Sequence, residues 1–245
     1  MNVLAFDTCL GAVSAAVRRR GPDGDVLREA FELRSAGHAE RLMPMIAEVM
    51  DGSGLDFADL DRIAVTLGPG GFTGVRVGIA AARALALATG TSVVGTTSLA
   101  VMAHGAKELL GEAAAGRRLV VAVDAHRGAL YVQGFGPGAA EVGPALLLMP
   151  QEAAEWVGRD AAIVVGSAAA GLAALAAEAG GSAEHGLPDL QPHARGLAAL
   201  ASGLMPGAPV KPLYLRAPDV KPQDAATLAR AHPRAHPRAH PRAHP

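Results

Sequence analysis

Two carboxylates, Asp7 and Asp124, each close a short apolar run (Val3–Thr8 and Leu119–Val123), where acids in nucleotide-handling α/β folds hold metal or water. Between them lies Gly68-Pro69-Gly70-Gly71-Phe72-Thr73-Gly74, where glycines at a strand-to-helix junction permit close backbone approach and a helix N-terminus offers amides to an anion. Phosphate contact and tight strand–helix packing both remain open for this loop. It is no Walker loop, because Val75-Arg76 follows Gly74 where Lys-Ser/Thr is required, and Thr73 stands where the dinucleotide fingerprint wants glycine. His38 and Glu40 precede a helix, a position more common for capping than for catalysis. Cys9 is the chain's one cysteine, the histidines outside the C-terminal repeats are scattered, and there is no Gly-x-Ser-x-Gly elbow. Neither zinc-ligand spacing nor a serine hydrolase is therefore predicted; the expected metal set and catalytic set are both empty.

The elements that position these residues are legible in the N-terminal half. Three strand-like runs, Val3–Thr8, Ala12–Arg19 and one around Val26 to Leu33, are punctuated by Gly21-Pro22-Asp23-Gly24. Leu42, Met45, Ile46, Val49 and Met50 share one helical face, with Pro44 in the first turn or at a kink. A strand at Ile63–Leu67 enters the glycine loop, a helix runs to about Thr89, Val93-Val94 is a strand and Ser98–Leu110 a helix. The predicted order is β-β-β-α-β-α-β-α. Further on, Leu119–Val123 and Ala129–Phe135 read as paired strands, Gln151–Val157 and Leu172–Ala179 as helices, and Ile163–Val165 as a strand. This is a mixed-sheet α/β pattern with a fainter echo in its second half.

On the glycine helix, Gly74, Gly78, Ala82 and Ala86 recur every four residues, a stripe nearly without side chains that suits packing on the protein's own sheet or against a partner helix. Arg76 and Arg83 share one side and could pair with acids across an interface. Methionines at 43, 45 and 50 give the preceding helix an adaptable surface.

With 245 residues and a net charge of −1, the chain has one or two domains and lacks the basic field of a protein that grips nucleic acid by itself. The N-terminus reads as a buried strand and not as a signal peptide. The apolar stretch Val77–Ala88 reads as too short and too weakly apolar to span a bilayer. A cytoplasmic location is expected. From Arg230 the sequence Arg-Ala-His-Pro occurs four times, and a proline every fourth residue predicts an extended, disordered tail.

Leu4-Ala5-Phe6-Asp7-Thr8, His38-Ala39-Glu40-Arg41-Leu42-Met43-Pro44, Gly68-Pro69-Gly70-Gly71-Phe72-Thr73-Gly74-Val75-Arg76-Val77-Gly78 and Gly95-Thr96-Thr97-Ser98-Leu99 together resemble the TsaB (YeaZ) family, in its order and spacing. Asp124-Ala125-His126-Arg127 with Tyr131, and Pro212-Leu213-Tyr214-Leu215-Arg216, resemble its later motifs, so the resemblance covers roughly residues 2 to 218. Gly71 replaces the family's usual serine, and His126 and Ala129 depart from the expected Arg-Arg and nearby Glu.

The resemblance implies an actin, Hsp70 and sugar-kinase type (RNase H-like) fold of two related lobes, each a mixed sheet flanked by helices. Residues 1–100 would form the N-terminal lobe, 101–218 the C-terminal lobe, and 219–245 the tail. It implies a non-catalytic scaffold subunit that pairs with a TsaD-like catalytic relative and works with a TsaE-like ATPase. That assembly transfers threonylcarbamoyl to the adenosine 3′ of the anticodon, and such a subunit forms homodimers when the partner is absent. The expected partner interface is Leu42, Met45, Ile46, Val49, Gly74, Arg76, Gly78, Ala82 and Arg83. Asp7, Thr8, Gly70 and Gly71 are the candidate contacts for ATP or ADP at the subunit interface, while metal stays with the partner and tRNA is reached through the complex. The catalytic relative's two metal histidines four apart have no counterpart in Ser98-Leu99-Ala100-Val101-Met102, beside which His104 stands alone. A nucleotide-binding regulator, a kinase-like enzyme of the same fold, or the peptidase sometimes named for these relatives are the alternatives.

Overall fold

The computed structural model describes residues 1–21, 24–207 and 209–216. The expected Arg-Ala-His-Pro tail lies outside the described residues. Strands β1 (Asn2–Asp7), β2 (Ala12–Gly21) and β3 (Gly24–Leu33) form an antiparallel meander, followed by helix α1 (His38–Ser53) and strand β4 (Arg62–Thr66). Helix α2 (Phe72–Thr89), β5 (Ser92–Thr96) and α3 (Ser98–Leu110) complete the first half in the predicted order. The sheet runs β3-β2-β1-β4-β5, with β1–β4 and β4–β5 parallel.

The second half repeats that plan. Strands β6 (Arg118–Asp124), β7 (Leu130–Phe135) and β8 (Leu146–Leu148) form a second meander, followed by α4 (Pro150–Val157), β9 (Ala162–Val165), α5 (Ala169–Glu178), β10 (Ala183–Gly186) and α6 (Ala194–Leu200). Its order, β8-β7-β6-β9-β10, with antiparallel pairing in the meander and parallel pairing to β9 and β10, matches the first sheet strand for strand. Two related mixed sheets flanked by helices are thus established.

The central strands are apolar on both faces, as strands covered by helices must be; Val3, Leu4, Ala5 and Phe6 are all buried. On one face of the first sheet, Leu42, Met45, Ile46, Val49 and Met50 of α1 pack with Phe6, Val13, Ile63 and Val65. On the other, Leu197 and Ala198 of α6 join Val3, Ala16 and Val94, whereas α3 sends Leu99 and Met102 to Val121, Phe135 and Val165 of the second sheet. Each lobe's last helix is therefore exchanged. The segment after it also returns: Leu213 N–H donates to Leu67 O at 2.7 Å. Helix α6 thus packs on the first sheet, whereas Leu213 and Leu215 also pack against the cluster of α3 and the second sheet.

Two further readings change. Pro44 lies inside α1, which continues to Ser53. Helix α2 is longer than the apolar stretch read from the sequence and is long and apolar enough by composition to cross a membrane. Its inner edge is committed to the first sheet: Val75, Gly78, Ile79 and Ala82 are buried, and an added Cβ at Gly78 would lie 3.3 Å from Val65 Cγ2 of β4.

Candidate functional site

The turn after β1 is locked under the glycine loop. A Cβ added to Gly70 would lie 2.1 Å from Cys9 O, and one added to Gly74 only 2.0 Å from Thr8 O. Both are backbone atoms that cannot swing aside, so glycine is required at each position. Gly71 N–H donates to Cys9 O at 2.8 Å, and the Thr8 hydroxyl donates to Gly74 O at 2.7 Å. Ser98 secures the loop from the far side, its N–H on Gly68 O (2.8 Å) and its hydroxyl on Pro69 O (2.6 Å). Of the two roles left open for the loop, tight packing accounts for Gly70 and Gly74. Within the small-residue stripe, Gly74 and Gly78 make room for Thr8, whose O and Oγ1 would lie 2.0 Å and 2.8 Å from an added Cβ.

Asp7 lies beneath this turn and is fully buried. Its carboxylate accepts the Thr66 hydroxyl and, at 3.3 Å, the Cys9 N–H, while the Cys9 thiol donates to Thr66 Oγ1 at 3.2 Å. Burial raises the Asp7 pKa to about 6 against these hydrogen bonds, and burial also pushes the Cys9 thiol well above its ordinary range. The Asp7 side chain is thus turned into the core.

Above the turn lies a cleft of about 640 Å³, lined from both lobes by residues including Thr8, Gly71, Phe72, His38, Asp124 and Tyr131. Asp124 ends β6 as Asp7 ends β1, but it is exposed and its N–H donates to Ser167 Oγ at 2.9 Å. The duplicated fold therefore gives one carboxylate to the core and one to the cleft. His38 Nε2–H donates to Leu10 O at 2.9 Å, tying α1 to the β1–β2 turn. Gln191 Oε1 accepts Gly11 N–H at 2.9 Å across the lobes, a contact with no signal in the sequence.

The expected interface residues divide between core and surface. Leu42, Met45, Ile46, Val49, Gly78 and Ala82 are buried within the chain, because α1 and α2 must cover their own sheet before they can meet anything else. This corrects their assignment to a partner surface. Arg76 and Arg83 are exposed, yet each is engaged by the returning segment. Arg76 Nε donates to Tyr214 Oη at 2.6 Å with its guanidinium 3.7 Å over the Phe72 ring, and Arg83 donates to Val210 O. Phe72 and Tyr214 stack at 5.4 Å. Beside Arg76 and Arg83, α2 turns Ala80, Ala84, Leu87 and Ala88 to solvent, at the i, i+4, i+7, i+8 spacing of one helical face, with Leu87 89% exposed. On α1, Ala39, Met43 and Ala47 are exposed at fourfold spacing.

His104 sits on α3 with Nε2 at 3.6 Å from Glu108 Oε1, and burial lowers its pKa. Among the described residues, no three His, Cys, Asp or Glu side chains gather as a metal set.

The tRNA N6-adenosine threonylcarbamoyltransferase (TsaD) family matches residues 32–148. The chain is 36% identical to the uncharacterized protein Rv3421c of Mycobacterium tuberculosis over 229 residues, covering 92% of this chain and 97% of that protein. It is 36% identical over 131 residues to the tRNA threonylcarbamoyladenosine biosynthesis protein TsaB of Escherichia coli, covering 54% of this chain and 53% of that protein. The crystal structure of YeaZ from Pseudomonas aeruginosa superposes with a TM-score of 0.71 at 28% identity, over 87% of this chain and 99% of that one. A duplicated mixed-sheet fold, a glycine loop packed on the first strand's turn and these similarities together make the chain a member of the TsaB (YeaZ) family.

Proposed function

We propose that this chain is a non-catalytic scaffold subunit in the formation of threonylcarbamoyladenosine in tRNA. It pairs with a TsaD-like catalytic subunit through the outward face of α2 and the adjoining surface of α1. The observation that carries this reading is that face: Ala80, Ala84, Leu87 and Ala88 form an apolar stripe on solvent. The alanines let a partner helix approach closely and Leu87 supplies the side chain that fills its groove. A TsaE-like ATPase and tRNA join through that pair, and two copies meet on the same face when the catalytic subunit is absent.

The nucleophiles around the cleft support a non-catalytic role. The Cys9 thiol is buried and held protonated, and the Thr8 and Ser98 hydroxyls are spent on backbone carbonyls. The Asp7 carboxylate beside Cys9 raises the thiol's pKa further, so it does not hold the sulfur as a thiolate.

The test is co-purification of the tagged chain with the TsaD-like subunit of the same organism. Ala84→Glu combined with Leu87→Glu places two charges on the stripe, at exposed positions. The expected result is loss of co-purification with an unchanged melting temperature. Undiminished pairing by this folded variant would overturn the reading.

A further inference from the structure

The end of the first sheet away from β4 and β5, and so away from α2, carries a second surface. Strand β3 is outermost, and among the described residues no strand pairs with its outer side. Arg34 N–H donates to Gly11 O, so by the alternation of an antiparallel ladder the pairs Ala12↔Leu33, Ser14↔Phe31 and Ala16↔Glu29 are the ones without mutual hydrogen bonds. The backbone N–H and C=O groups of Glu29, Phe31 and Leu33 therefore point out from the open edge. Natural edges are commonly guarded by charge, but here the charges are drawn into the chain's own pairs. Asp25 is held by Arg18, Glu32 by Arg41, and Glu29 lies 3.6 Å from Arg195. Phe31 and Leu33 are left exposed at 38% and 68%.

Beside this edge is an apolar pocket of about 460 Å³, walled by Phe31, Val101, Leu109 and Leu190 and rimmed by Glu108 and Asp189. Phe31 is braced by stacking on His193 at 4.9 Å. Arg195, which also lines the pocket, lies 3.6 Å from Glu29, Arg18 pairs with Asp25 at 2.5 Å, and His104, 3.6 Å from Glu108, has its pKa lowered by burial.

We propose that β3 and this pocket bind an extended segment of a partner polypeptide that adds to the sheet as a further strand. It would seat one apolar side chain in the pocket and place Lys or Arg beside Glu108 and Asp189. Main-chain pairing supplies the affinity, while the pocket and the acidic rim supply the choice of sequence. The surface is separate from the α2 stripe, so occupation of one leaves the other open.

The probes are synthetic ten-residue peptides with Leu at alternate positions and Lys, Ser or Glu between them. Binding to the full chain is followed by fluorescence anisotropy, and the site by backbone hydrogen exchange. The Leu/Lys peptide is expected to bind and to protect residues 27–33, with the Leu/Ser peptide about tenfold weaker and the Leu/Glu peptide not bound. Leu33→Pro removes an outward N–H without touching the β2 ladder and is expected to weaken binding at least about tenfold, as is Glu108→Lys, which reverses the rim charge at a surface position. If Leu33→Pro unfolds the chain, Glu108→Lys carries the test. Equal binding of all three peptides, no binding of the Leu/Lys peptide, or binding without protection of β3 would overturn the proposal. So would protection of β3 that rises with the protein's own concentration in the absence of peptide, which would identify the occupant as a second copy.

Discussion

Asp7 shows how one buried group can leave a signature in the stability of the whole chain. Its pKa in the fold is about 6, against an ordinary value near 4 in the unfolded chain. The folded state therefore holds a proton that the unfolded state has released, and stability falls as pH rises through that window. The cost at neutral pH is on the order of 3 kcal/mol. Urea unfolding of the wild type relative to Asp7→Asn should show this loss between about pH 4 and 6, flat on either side; a constant difference would contradict the burial assigned to Asp7. At Gly74 a Cβ would meet a carbonyl oxygen, so Gly74→Ala is expected to cost roughly 3 kcal/mol, and a loss below about 0.5 kcal/mol would show that the turn yields. Asp7 and Asp124 as strand-end acids, and the glycine loop as a junction, were legible in the sequence. Which acid faces the cleft was not, because both sit at the end of an apolar strand and the difference arises from Thr66 and the loop closing over only one.

At the scale of elements, periodicity located α1 by its apolar face and gave α2, after the glycine loop, a stripe of small residues. It could not say what covers that face. The stripe Leu42, Met45, Ile46, Val49 belongs to the core, and the surface offered outward is the complementary one. Ile46→Ala is accordingly expected to cost about 2–4 kcal/mol of stability, whereas Leu87→Ser is expected to change it by less than about 0.5 kcal/mol, both read from denaturant midpoints. A reversal of these two effects would return the α1 stripe to the surface. Short or polar elements were not legible. Strand β8 has three residues, β10 (Ala-Glu-His-Gly) carries two polar side chains, and α6 is alanine-rich with little amphipathic contrast. The returning segment gave only a family motif. Its structural meaning lies in Arg76 and Arg83, which it holds through Tyr214 and the Val210 carbonyl.

For the whole molecule, the two sheets have one topology, and their terminal helices are exchanged so that neither lobe's core is complete alone. The echo of the first half in the second was visible in the sequence; the exchange was not, because it depends on long-range contacts, such as those of Leu197 in α6 with Val3 and Ala16 of the first sheet, that no local pattern records. Within that duplicated frame the first lobe buries its strand-end acid, Asp7, with Thr8 and Cys9 beneath the glycine loop, and it presents the α2 stripe outward. The most direct measurement is mass spectrometry of tRNA nucleosides from its host after depletion of this protein, with re-expression of the wild type or of the Ala84→Glu, Leu87→Glu variant. The account predicts that threonylcarbamoyladenosine falls on depletion, returns with the wild type and fails to return with the variant. An unchanged level on depletion would contradict a role in that modification, and full rescue by the variant would contradict the assignment of the α2 face.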